Sequence, residues 1–222
     1  MTEIPYEAII FDMDGLLVDS ETIWNVAETE MFEAHGFSYT AEVRALIVGL
    51  RLDEMMTKMK TVYDLPQTET ELATELTDRM IEIIPKNVKP QPGAHELIQY
   101  VAERDFTRAI ASSSPMSIID AILDSQGWGD VFPRRFSADD DMRGKPAPDV
   151  YLRAAAGLGA NPANCLALED SPNGARAAVA AGMTCFAVPD RSHSTPEAFA
   201  DITPHVFTTL HEVLVRLKNG EG

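Results

Sequence analysis

Basic residues are scarce in this chain: 18 Lys+Arg stand against 35 Asp+Glu in 222 residues, a formal net charge of −17. Nucleic acid and anionic membranes attract clustered Lys/Arg, so this balance excludes broad electrostatic binding to either and leaves an anionic ligand only local attraction. Cysteine is almost absent. Cys165 and Cys185 each lie near the start of an apolar run, have no Cys or His at zinc-site spacing, and are expected to be inert core thiols. No segment approaches the roughly 18 uninterrupted apolar residues of a membrane span, and Met1–Pro5 lacks the basic and apolar regions of a secretory signal, which predicts a cytoplasmic protein. Internal repeats and low-complexity tracts are also missing. What remains is an ordinary globular composition, 45% apolar and 24% charged, long enough for one core with a sizeable insertion.

Five short apolar runs read as strands: Ala8–Phe11, Thr107–Ala111, Val131–Phe136, Cys165–Leu168 and Thr184–Val188. Helical stretches over Ala94–Arg104, Met116–Gln126, Asp149–Leu158 and Asn173–Ala181 separate most of them. This alternation predicts an α/β fold with a parallel sheet covered on both faces and ligands gathered at the strands' carboxyl ends. Residues 19–89 break the pattern. Trp24, Ala27, Met31 and Ala34 fall at helical spacing before His35-Gly36, Leu52–Leu65 reads as helix, and Thr68-Glu69-Thr70-Glu71 is a capping box before a helix reaching Pro85. His35 reads as part of a helix end, and His193, in a polar loop, is assigned no chemistry. The expected division is a core of residues 1–18 and 90–222 with a helical cap over 19–89, which the chain leaves through Lys89-Pro90-Gln91-Pro92-Gly93.

Four features could carry chemistry, and each also has a plain structural reading. Asp12 and Asp14 in Phe11-Asp12-Met13-Asp14-Gly15 sit two residues apart where a strand opens into a loop, so they can divide labour as nucleophile and proton donor; a strand-ending acidic turn would look the same. Glu169 and Asp170 also follow an apolar run and would join them on one sheet edge, where repulsion calls for a cation and oxygen-only ligands favour Mg²⁺. Asp170 would equally serve as a helix cap. Ser112 and Ser113, in Ala111-Ser112-Ser113-Ser114-Pro115, suit either an oxyanion cradle or a serine cap. Lys145, in Arg143-Gly144-Lys145-Pro146-Ala147-Pro148-Asp149, can reach inward to a phosphate or remain solvated.

All four features directly follow a predicted strand. In this order they closely resemble the haloacid-dehalogenase-like hydrolase superfamily over residues 8 to about 190. The runs from Asp12 to Glu21, Gly144 to Asp149 and Leu168 to Gly174 look like the branch holding sugar-phosphate phosphatases and β-phosphoglucomutase. The resemblance implies a Rossmann-like core with an inserted helical cap and a Mg²⁺-dependent phosphatase acting on a small sugar or polyol phosphate. It implies that Asp12 attacks phosphorus to give an aspartyl-phosphate and that Asp14 protonates the leaving alcohol and then activates water. Asp12, the Asp14 carbonyl and Asp170 would hold Mg²⁺ with Glu169 in an outer contact, and Ser112, Ser113 and Lys145 would hold the phosphate. The expected partner is a small phosphorylated metabolite, with no nucleic acid and no membrane, bound by a monomer or weak dimer.

Alternatives differ in what they require. A phosphosugar mutase of this branch carries a cap histidine where this chain has Trp24. It also carries a phosphate-gripping arginine where this chain has Leu52, with Arg51 one place earlier in Val48-Gly49-Leu50-Arg51. Trp24 would then stack on a sugar or simply pack the helix, and Arg51 would touch substrate or lie on a solvated face. A dehalogenase has no need of the acid at Asp14. A phospho-receiver module needs about half this length and no insertion, and a non-catalytic binding protein would not need a competent residue at every matched position.

Overall fold

Strand β1 (Ala8–Phe11) is apolar throughout and completely buried. The computed structural model describes residues 5–47, 50–192 and 194–220, so the readings made on the N-terminal Met1–Ile4, on Val48-Gly49 and on His193 lie outside the described residues. After β1 come a two-residue strand β2 (Val18–Asp19) and four helices, α1 (Glu21–Ala34), α2 (Ala41–Arg44), α3 (Leu52–Tyr63) and α4 (Glu69–Asn87). The chain returns through β3 (Lys89–Pro90) and then alternates: α5 (Ala94–Glu103), β4 (Arg108–Ser112), α6 (Met116–Ser125), β5 (Arg135–Ser137), α7 (Asp149–Leu158), β6 (Cys165–Glu169), α8 (Pro172–Ala180), β7 (Thr184–Ala187) and α9 (Leu210–Lys218).

The main sheet has the order β5-β4-β1-β6-β7, and every pairing is parallel. Alternation along β1 sends Ile9 and Phe11 into a core shared with α5, α6 and α9, while Ala8 and Ile10 join α7 and α8 on the other face. Small residues dominate that second face: Ala154, Ala155, Ala175 and Ala178 let α7 and α8 lie close to the sheet. Successive strands leave β1 to one side and then to the other, so its carboxyl end is the topological switch point where α/β sheets bind ligands.

Two expected elements move. Val131 lies in a turn, residues 132–134 are irregular and the strand begins only at Arg135, because Pro133 has no N–H to give a sheet ladder. The buried stripe of α1 is Ile23, Ala27, Met31 and Phe32; Trp24 is half-buried and Ala34 exposed. Thr68 and Glu71 form the expected reciprocal cap, with Thr68 N donating to Glu71 Oε2 at 2.8 Å and Glu71 N to Thr68 Oγ1 at 3.2 Å. His35 ends α1 as expected, and its ring also contacts Glu75 Oε2 at 2.8 Å and Gln67 Nε2 at 3.1 Å. Both cysteines are buried free thiols, and burial pushes Cys165 up to about 11. No helix among the described residues is long and apolar enough to cross a membrane.

Candidate active site

The loop after β1 carries the first two carboxylates. Asp12 continues β1 by donating its N–H to Leu168 O at 2.9 Å, which fixes its side chain at the sheet's carboxyl edge beside β6. Gly15 has φ +78°, and a Cβ there would lie 2.3 Å from Asp170 Oδ2, so only glycine permits the Asp14–Gly15 turn and the Asp170 carboxylate to share this space. The chain's exit and return are pinned to the same turn: β2 pairs antiparallel with β3, and Gln91 Nε2 donates to Gly15 O at 3.0 Å. Positions of Asp14 and of the helical insert are thereby linked.

Lys145 lies across the carboxylates. It is buried, and its Nζ donates to Asp12 Oδ1 at 2.6 Å, to Glu169 Oε1 at 2.6 Å and to Ala111 O at 3.0 Å. Burial disfavours its charge, but Asp12 and Glu169 outweigh that and hold the ammonium above the ordinary lysine range. Asp12 is pushed well up, by burial first and then by Glu169, Asp170 and Asp14, with Lys145 opposing. This crowd of acids favours a bound cation. Oxygens of Asp12, Glu169 and Asp170 lie within 4.8 Å of one another, and an all-carboxylate set fits a hard divalent ion such as Mg²⁺.

Glu169 is the most enclosed member. Its Oε1 accepts from Lys145 and from Tyr151 Oη at 2.6 Å, and its Oε2 accepts from Ser171 Oγ at 3.2 Å and Ser171 N at 3.4 Å. The cap of α8 is Ser171, whose Oγ accepts from Gly174 N at 3.1 Å, so the plain reading of Asp170 as a helix cap does not hold. Ser112 is not a cap either. Its hydroxyl donates to Asp14 Oδ2 at 2.9 Å and accepts from Ser114 N at 2.9 Å, while Ser114 Oγ gives a second bond to Asp14 Oδ2 at 2.8 Å. Ser113 lines the cleft beside them.

An open cleft, lined by Trp24, Glu28 and Arg44 as well as by Asp12, Asp14 and Lys145, joins these residues to the stretch 19–89. Trp24 lines it, with its indole N–H 3.5 Å from Asp14 Oδ1. Arg51 is not brought to the cluster. Its guanidinium pairs with Asp53 and donates to Asp141 O at 2.8 Å and Ala138 O at 3.2 Å, tying the start of α3 to the loop ahead of Lys145. No sequence motif singles out Tyr151 or Ser114. Tyr151 follows Lys-Pro-x-Pro-Asp by one helical step on the buried face of α7, and Ser114 shares the Ser112-Ser113 run; those neighbours were the available signals.

Relatives match this chain over nearly its whole length. Hexitol phosphatase B of Escherichia coli is 34% identical over 197 residues, 87% of this chain and 86% of its own length. The crystal structure of CbbY from Rhodobacter sphaeroides in complex with phosphate matches with a TM-score of 0.88 at 26% identity, over 96% of this chain and 99% of that one. A CbbY mutant in complex with xylulose-(1,5)bisphosphate gives 0.84 at 26% identity, over 93% and 96%. With a family model described as haloacid dehalogenase-like hydrolase matching residues 9–188, from β1 through β7, the chain belongs to that family.

Proposed function

We propose that this protein is a Mg²⁺-dependent phosphomonoesterase that hydrolyses a small sugar or polyol phosphate through an aspartyl-phosphate. The observation that carries the reading is the pairing of Asp12, at the carboxyl end of β1, with buried Lys145 at 2.6 Å, while Asp14 stands two residues on under two serine hydroxyls. Family membership and the phosphatase relative support it.

An Asp12 oxygen attacks phosphorus as the P–O bond to the sugar breaks, and protonated Asp14 gives its proton to the leaving oxygen. Asp14, now a carboxylate, takes a proton from water, which attacks the same phosphorus; the bond to Asp12 breaks and inorganic phosphate leaves. Lys145 and Ser113 stabilise the non-bridging oxygens, Ser112 joins them when its single hydroxyl proton turns from Asp14 to the phosphate, and Ser114 keeps Asp14 in place for its two proton transfers. Mg²⁺, held by Asp12, the Asp14 carbonyl and Asp170, would lower the repulsion between nucleophile and phosphate. Glu169 acts behind them by orienting Lys145. Residues 19–89 serve as a cap that closes over the substrate, and Trp24 stands where a mutase's cap histidine would act on the sugar. Two buried free thiols suit a reducing cytoplasm, where the chain works as a monomer or weak dimer.

Phosphate release from a panel of hexose, pentose, hexitol and glycolate phosphates tests this reading. Many turnovers per enzyme are expected, stopped by EDTA and restored by Mg²⁺; full activity in metal-free buffer, or release of at most one phosphate per chain, would refute it.

A further inference from the structure

The cleft has a second polar centre besides the carboxylate cluster. Arg44, at the end of α2, is 22% exposed; its Nη2 donates to Glu21 Oε2 at 2.5 Å and Glu21 O at 3.2 Å. Its Nε lies 3.8 Å from Glu28 Oε2, and buried Glu28 also accepts the Tyr39 hydroxyl. Glu21, Glu28 and Arg44 line the same cleft as Asp12, Asp14, Asp170 and Lys145. Five carboxylates thus face two cations, and each cation is already held by two carboxylates: Lys145 by Asp12 and Glu169, Arg44 by Glu21 and Glu28.

The consequence concerns the part of the substrate away from the reacting phosphoryl group. A second phosphate placed at this wall would meet Glu21 and Glu28, whose two charges outnumber the one on Arg44. Sugar hydroxyls fit far better, since they donate to the carboxylates and accept from Arg44, while Trp24, Ile47 and Met55 offer apolar surface to the C–H faces. We infer that Glu21, Glu28 and Arg44 form a polyol-binding wall that selects monophosphates whose remainder is uncharged and rejects bisphosphates. This inference rests on the phosphatase reading, which places the reacting phosphoryl group at Asp12.

The test compares kcat/KM for fructose 6-phosphate and fructose 1,6-bisphosphate with Mg²⁺ present, and uses p-nitrophenyl phosphate to report the chemistry alone. A preference of about 100-fold or more for the monophosphate is expected, because like charges brought together in a confined site repel strongly. Glu21→Gln and the double variant Glu21→Gln/Glu28→Gln release Arg44 and should shrink that preference by about tenfold, in proportion to the repulsion removed. Comparable hydrolysis of both sugars by the unsubstituted protein overturns the inference, and this arm does not depend on any variant folding. An unchanged preference in folded Glu21→Gln would also overturn the assignment to this wall. Hydrolysis of p-nitrophenyl phosphate with a bisphosphate preference defeats the inference alone, whereas failure on every ester defeats the phosphatase reading beneath it.

Discussion

Asp12 is strained electrostatically. Burial and three neighbouring carboxylates raise its pKa well above the free value despite Lys145, so in metal-free protein the folded state binds its proton more tightly than the unfolded chain does. For a group raised in this way the cost is absent below the unfolded pKa and grows as pH rises through the folded value. Asp12→Asn should therefore raise Tm at pH 7 in EDTA. The gain should shrink as the pH is lowered toward 4. Thermal melts at several pH values decide it; a variant less stable than the parent at pH 7 would show that the Lys145 pair outweighs the crowding. At this scale the sequence was informative for residues inside motifs and silent elsewhere. Asp12, Asp14, Lys145, Glu169 and Asp170 all converge at the sheet edge. Ser114 and Tyr151 matter only through partners 100 and 18 residues away, and no local pattern announces such contacts.

Elements deliver these groups through close packing. Helix α8 begins so near β6 that a Cβ on Gly174 would lie 1.9 Å from Glu169 Oε1. Gly174→Ala must displace Glu169, and with it the bonds to Lys145 and Tyr151. The expected cost is about 1–3 kcal/mol of stability, the range for overpacking a filled interior, together with a fall in turnover. Denaturant unfolding and steady-state kinetics measure both; a variant unchanged in each would show that Glu169 has another place to go. Apolar runs that end in a polar residue revealed the strands well because buried parallel strands must be apolar on both faces. Two failures share one cause, tertiary context. The β2-β3 ribbon is only two residues long on each side, too short for any period. Arg51 looked like a substrate contact or a solvated residue, yet it spends its donors on carbonyls of Ala138 and Asp141, about 90 positions along the chain.

Over the whole molecule, the acidity has two meanings. Residues 19–89 hold 14 acids and 7 bases, and the insert contributes Glu21 and Glu28 to the cleft, so part of its surplus faces the site as well as solvent. Among the described residues the helices α1–α4 lie between β2 and β3, the ribbon tied to the Asp14–Gly15 turn, in a chain long enough for one core with an insertion. On the proposed mechanism this architecture presents Asp12 to phosphorus. Acid quenching during turnover of a ³²P-labelled sugar monophosphate, borohydride reduction of the acyl-phosphate and peptide mapping test it most directly. Label is expected on the peptide containing Asp12, with conversion to homoserine at that position and loss of both label and turnover in Asp12→Asn; sustained turnover by Asp12→Asn, or label on another residue, would overturn the nucleophile assignment.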